Sequence, residues 1–267
     1  MPLLPPLTRV EAVEAMERPQ PLAAMAACLA DLARLNRLLG MRRLVVRLLG
    51  PFLAPGVTTL TLADVATGGA DLPRAFVAWG RARGVAVRVL ALDRHPLIAT
   101  LAQEATASFP EIAVVVGDAR ALPLPDGAVD VAICTSTLHH FSPDAAVAVL
   151  RELDRVGRRG FIVTDLVRAW GAYAGARVLA ATVQRSPITR ADGPLSVRRA
   201  YTVPEVEALC ARAGLREVTL RRHPLFRLSL VCRRPDPDGR HPRHGRVRAA
   251  TPRDRCRYTA DEPRPAP

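Results

Sequence analysis

Two adjacent histidines and a series of aspartates at the ends of apolar runs carry the chemistry of this 267-residue chain. His139 and His140 follow the run VDVAICTS. Imidazole titrates near neutral pH, so either ring could take a proton from an acceptor hydroxyl; a loop histidine can equally satisfy local backbone groups. Asp64, Asp93 and Asp118 end or follow the runs TLTLADV, VAVRVLALD and IAVVV. A carboxylate placed there can accept from ribose hydroxyls or an exocyclic amine, and it can also cap a turn or helix. Ala66, Thr67, Gly68, Gly69 and Ala70 follow Asp64, and Asp71 closes the run. Gly68 and Gly69 permit a tight strand-to-helix turn that sets a helix N-terminus against a ligand, although glycine pairs are also common turn punctuation. Asp165 and Arg168, beyond GFIVT, could orient a substrate carboxyl or hydroxyl through the arginine's forked donors; the alternative is a structural ion pair or helix cap. Arg198 and Arg199, beside Tyr201, could cover the pocket from the insert and otherwise read as solvated charge; Asn36 could face the ligand and otherwise reads as an exposed helix position.

These residues need a scaffold that brings strand ends together. From residue 59 to 232 the chain alternates apolar runs with helix-like stretches, which predicts an α/β fold: a doubly wound, mostly parallel, seven-stranded sheet with helices on both faces. Such sheets bind ligands beyond the carboxyl ends of their strands. The last two strands are predicted to form a hairpin around His223 and Pro224. Residues 1–58 read as helical after a proline-rich start, with Gly40 and Gly50-Pro51 as stop signals. Residues 233–267, with ten arginines against five acids and almost nothing apolar, read as a disordered tail.

The ordered strand-end series of Asp64, Asp93, Asp118 and His139/His140 resembles that of the class I S-adenosylmethionine-dependent methyltransferases. It looks most like their small-molecule branch, which includes the ubiquinone/menaquinone-type enzymes. The likeness covers residues 59–232. HHF, VTDLVR and SVRRAYT look like a subgroup found beside type III polyketide synthases. The resemblance implies S-adenosylmethionine as cofactor. It also implies backbone from Ala66 to Gly69 near the methionine part, Asp93 on the ribose, Arg94 beside the adenine, and Asp118 and Ala119 at the adenine amine. Thr135 lines the methionine side, and Asp71 closes the loop as an acidic residue often does there. It implies an N-terminal helical lid over a small-molecule acceptor, phenolic, quinone or polyketide-type, in secondary metabolism. The family's glycine-rich motif has glycine where this chain has Ala66 and Ala70.

Composition narrows the rest. Every one of the 38 basic residues is arginine, and the formal net charge is +13. A basic chain suggests nucleic acid, but the lack of lysine and the wealth of alanine and proline read as the mark of a GC-rich genome. A nucleic-acid methyltransferase is the alternative, and the chain lacks the Asn/Asp-Pro-Pro-Tyr-like run and the stacking aromatics such an enzyme uses. A binding protein of the same fold without activity is a further alternative. A nicotinamide dehydrogenase lacks both its glycine fingerprint and its lysine. The five cysteines form no C-x-x-C pair, so no metal site and no disulfide framework is predicted. No membrane span or secretory leader is predicted, which points to a cytoplasmic protein, and the sequence leaves the oligomeric state open.

Overall fold

The computed structural model describes residues 5–53 and 56–234. The predicted tail from residue 235 onward lies outside them. Seven strands form one sheet: β1 (Thr59–Val65), β2 (Ala86–Asp93), β3 (Ile112–Val116), β4 (Val129–Thr135), β5 (Gly157–Leu166), β6 (Val218–His223) and β7 (Arg227–Arg233). Their order is β3-β2-β1-β4-β5-β7-β6, and only β7 runs antiparallel to its neighbours on either side. The sheet starts at β1, winds outward to β3, then crosses to β4 on the other side of β1. The crevice beyond β1 and β4 is therefore the topological switch point at which such sheets bind ligands.

The strands are apolar along their length because helices cover both faces. Alternation along β4 shows this: Val131 and Ile133 pack with one core, Ala132 and Cys134 with the other. The first core joins the sheet to α2 (Met41–Leu49) and α3 (Asp71–Arg81) through Met41, Val45, Leu49 and Phe76. The second joins it to α5 (Pro143–Val156) and α8 (Val203–Ala213) through Leu150, Leu153, Val206 and Leu209. Helix ends follow local chemistry. Ser142 precedes Pro143 and accepts from the Ala145 N–H, and Thr202 with Glu205 forms a capping box.

Above the sheet lie α1 (Leu22–Leu38), α4 (Pro96–Ala105), α6 (Trp170–Thr182) and α7 (Pro187–Arg199). Gly40, left-handed at φ +74°, separates α1 from α2. Only α1 of that pair faces the crevice; α2 belongs to the core beneath. Residues 5–20 form an extended strap with a single 3-10 turn, Ala15–Glu17. The strap is tied down by distant partners. Arg9 donates to the carbonyls of Phe141 (2.9 Å) and Arg199 (2.8 Å), Arg168 donates to the Leu7 carbonyl, and the Asp192 carboxylate accepts the N–H groups of Ala15 and Met16. Arg233 lies in β7, and Arg234 pairs with Asp154, so both close the sheet instead of opening a tail.

Candidate active site

The segment after β1 turns sharply. Ala66, Gly68 and Ala70 all have positive φ, +58°, +56° and +52°. Glycine adopts this region freely, whereas alanine is strained there by roughly 1–2 kcal/mol. The turn is held from inside. The Thr67 N–H donates to the Leu92 carbonyl, and its hydroxyl donates to Asp64 at 2.7 Å. The Asp93 carboxylate accepts from the Gly68 N–H and from the His95 N–H, both at 3.0 Å. A Cβ on Gly69 would sit 3.3 Å from Leu29 Cβ, so α1 presses directly on the loop. Asp71 opens α3 and is gripped by Asn36 of α1 and Arg42 of α2, each at 3.2 Å. Asn36 thus faces the crevice, the alternative to an exposed helix position.

Asp64, Asp71 and Asp93 line the same end of one cavity of about 620 Å³. Burial pushes the Asp64 carboxyl up to about 7, with the charges of Asp71 and Asp93 adding to it against the Thr67 hydrogen bond. Burial also raises Asp93, opposed by its two backbone donors. Arg94, Gly117, Ala119 and Arg120 continue the lining. Asp118 is already engaged by its neighbour. Arg120 grips both its oxygens and lowers its carboxyl to about 2. Thr135 lines the cavity at the end of β4, and Ser136 after it is left-handed at φ +53°.

At the other end, the 3-10 turn Leu138–His140 carries the two histidines. His139 is buried. Its Nδ1 lies 2.7 Å from Asp165 Oδ1, and its N–H donates to Asp165 Oδ2 at 2.9 Å. His140 makes the matching contact with Glu17 through Nδ1. Both Nε2 atoms then face Glu14: His139 at 3.8 Å from Oε1, His140 at 3.9 Å from Oε2. Arg199 closes the group, 2.9 Å from Glu17 and 3.4 Å from Glu14. Burial pushes Glu14 up to about 7 against the pull of His140 and Arg199. Burial works on Glu17 in the same direction, but there His140 and Arg199 together win and hold it at about 2. Burial likewise opposes ionisation of Asp165, and His139 with two backbone donors overcomes it and keeps that carboxyl below the usual range.

Asp165 and Arg168 do not meet as an orienting pair. Asp165 braces His139, while Arg168 binds Leu7, Ala200 and Glu205 and holds the strap to α8. Arg199 is buried rather than solvated. Glu14 and Glu17 carry no local catalytic motif, and only folding joins them to the histidines. The one hint in the sequence is the Glu14 to Glu17 spacing, which forms a capping box around the 3-10 turn.

The lining is suited to a polar, positively charged ligand. Among the described residues, four buried side-chain polar atoms have no hydrogen-bond partner: His95 Nδ1, Thr135 Oγ1, Gln184 Oε1 and Arg227 Nε. All four residues line this cavity. Unpaired buried groups cost about 1–3 kcal/mol each, so they mark places where a ligand supplies the missing partner. A donor carrying a sulfonium, an ammonium group and a ribose fits the Asp64–Asp71–Asp93 end in both charge and hydrogen bonding.

Comparison with known proteins agrees with this geometry. Residues 63–164 match the family described as a methyltransferase domain. That stretch runs from β1 into β5 and contains the turn, Asp93, Asp118 and both histidines. The domain is that of a methyltransferase, and S-adenosylmethionine is its methyl donor. Three solved structures share the fold. A SAM-dependent methyltransferase from Aquifex aeolicus is 19% identical over 69% of this chain and 86% of its own, with a TM-score of 0.50. A protein from Nostoc punctiforme, provisionally described as an O-methyltransferase, is 16% identical over 73% of this chain and 56% of its own, with a TM-score of 0.52. The CMeT domain of the citrinin polyketide synthase is 12% identical over 65% of this chain and 46% of its own, with a TM-score of 0.50. No curated protein matches the chain. No helix of the described residues is long and apolar enough to cross a membrane.

Proposed function

We propose that the chain methylates a small-molecule acceptor of phenolic, quinone or polyketide type in secondary metabolism, as an enzyme of the small-molecule branch. The observation that carries this reading is the continuity of the cavity, which runs from the Asp64–Ala70 turn to Glu14, His139 and His140. Its volume, about 620 Å³, falls in the range of sites for small organic ligands. Away from that turn its lining includes Leu32, Phe141, Leu166, Leu179 and Val197, which suit a flat apolar acceptor.

When bound, S-adenosylmethionine supplies an electrophilic methyl group on a sulfonium. The backbone from Ala66 to Gly69, with Asp64, Asp71 and Thr135, would hold its methionine part. Asp93 would take the ribose, and Arg94, Asp118 and Ala119 would flank the adenine. Asp93 would keep its grip on Gly68 and His95 while accepting a ribose hydroxyl, and Asp118 would share its oxygens between Arg120 and the adenine amine. α1 and the strap line the space between the two ends. Holding the reacting groups in line can remove about 7–11 kcal/mol of barrier. With both Nδ1 atoms committed to carboxylates, only Nε2 is left on each ring to face an acceptor hydroxyl. The acceptor's proton leaves at this edge, in the arrangement by which a carboxylate orients an imidazole base.

The test incubates the purified chain with S-adenosylmethionine and a panel of phenols, quinones and alkyl-resorcinols, following release of S-adenosylhomocysteine. Turnover of at least one class is expected. Tight binding of S-adenosylhomocysteine with no turnover across the panel would favour the cofactor-binding alternative.

A further inference from the structure

The arrangement of Glu14, His139 and His140 goes beyond a proton-accepting edge. Each imidazole is braced at Nδ1 by its own carboxylate, Asp165 for His139 and Glu17 for His140. Each therefore presents an Nε2 lone pair toward one shared carboxylate, Glu14. Bracing by a carboxylate behind the ring is the arrangement that fixes the tautomer of a metal-bound histidine and raises its basicity. The three ligand atoms all lie within 4.8 Å of one another. Two ligand atoms at about 2.1 Å from a tetrahedral ion stand about 3.4 Å apart. The two Nε2–Glu14 distances, 3.8 and 3.9 Å, need to close by less than the width of a bond to reach that.

We infer that Glu14, His139 and His140 form a binding site for a divalent first-row transition-metal cation, with its remaining positions open to the cavity. Two imidazole nitrogens and one carboxylate oxygen suit zinc, cobalt, manganese or iron(II). Charge favours occupancy. Glu14, Glu17, Asp165 and Asp192 bring four carboxylates to this cluster, and among the described residues Arg199 is the one guanidinium paired with them. Arg199 leans toward Glu17, at 2.9 Å, and leaves Glu14 Oε2 directed at His140. The cysteine spacing that excluded a metal site in the sequence has no bearing on this triangle, whose ligands come from the strap and from the loop after β4.

The inference rests on the proposed function only for the place of the acceptor. There the bound cation would favour the anionic form of an acceptor oxygen, whose proton would be lost to solvent as that oxygen ligates, and the two Nε2 atoms would serve as ligands; the imidazole-base role described above would be that of the metal-free chain. The test titrates the chelator-stripped full chain with Co²⁺ and Zn²⁺ by calorimetry and visible absorption, with S-adenosylhomocysteine titrated in parallel. One equivalent of Co²⁺ per chain, with a visible d–d band, is expected. Asp165→Asn should weaken binding about 10–100-fold, and Glu14→Gln should weaken it further, while both variants keep their affinity for S-adenosylhomocysteine. Absence of Co²⁺ and Zn²⁺ binding at submillimolar concentration, with S-adenosylhomocysteine still bound, would overturn the metal site and leave the methyltransferase reading standing. Metal binding without S-adenosylhomocysteine binding would uphold the site and sink that reading.

Discussion

The two ends of the cavity handle negative charge in opposite ways. At the Asp64–Ala70 turn, Asp64 and Asp93 are held by a hydroxyl and by backbone N–H groups, and burial raises both. At the strap end, Glu17 and Asp165 are matched by His140, Arg199 and His139 and held low against their burial. The first end is built around a charge that a ligand brings. At the second, Glu17 and Asp165 already have partners within the protein, while Glu14, raised to about 7 by burial, is the carboxylate left to take up or share a charge. Donor binding and acceptor activation should therefore fail separately when either end is altered.

The largest separation is expected from the histidines. Replacing both His139 and His140 with glutamine should lower turnover about 10²–10⁴-fold, with S-adenosylhomocysteine affinity changed by no more than about threefold by calorimetry, a difference of well under 1.4 kcal/mol. Equal losses in both quantities would erase the distinction between the ends. Asp93→Ala should do the reverse. It removes two backbone bonds to a charged group, each worth about 1.5–3 kcal/mol. Cofactor affinity should fall at least ~100-fold, while Co²⁺ binding at the strap end persists.

Acidity should sharpen the contrast. Asp64 titrates near 7 in the free protein, raised by burial. A cationic donor favours its ionised form, so below that pH binding must expel a proton. Affinity should drop by up to about tenfold per pH unit below about 7 and level off above it. Asp64→Asn should flatten the profile. Without ligand the sign is reversed: this group's contribution to stability is greatest at low pH and is lost as pH rises from about 4 to 7. The smallest effect belongs to the strained turn. Ala66→Gly and Ala70→Gly relieve left-handed backbone at the cost of a more flexible unfolded chain, a net gain of about 1 kcal/mol or less per site. Thermal unfolding should shift upward by about 2–4 °C per kcal/mol gained.

What the sequence reveals follows the same divide. The sheet, its helices and the turn after β1 are written in short local signals: continuous apolar runs, glycines at a tight bend, and an aspartate at each strand end. Asp64, Asp71 and Asp93 can be named from sequence because strand ends in this topology converge at one crevice. Glu14, Glu17 and Arg199 cannot, because nothing within ten residues of any of them indicates what they will face. Asn36 and Arg168 escape a local reading for the same reason. Each finds its partners across a helix packing that a local pattern does not encode. The strain at Ala66 and Ala70 is half legible: the family pattern puts glycine at both positions, and the structure keeps the glycine-like backbone with alanine in place.

The strap carries a consequence for how the enzyme is made. Glu14 meets Ser196, and Glu17 meets Arg199, across 182 residues in each case. At roughly 5–20 residues per second of synthesis, Glu14 leaves the ribosome about 10–40 s before its partners on α7. Through that interval the sheet can begin to close around β1 to β4, while the acceptor end cannot exist. The catalytic half that depends on the earliest residues is therefore the last to be completed, and a nascent chain should acquire its donor site before it can carry out any reaction.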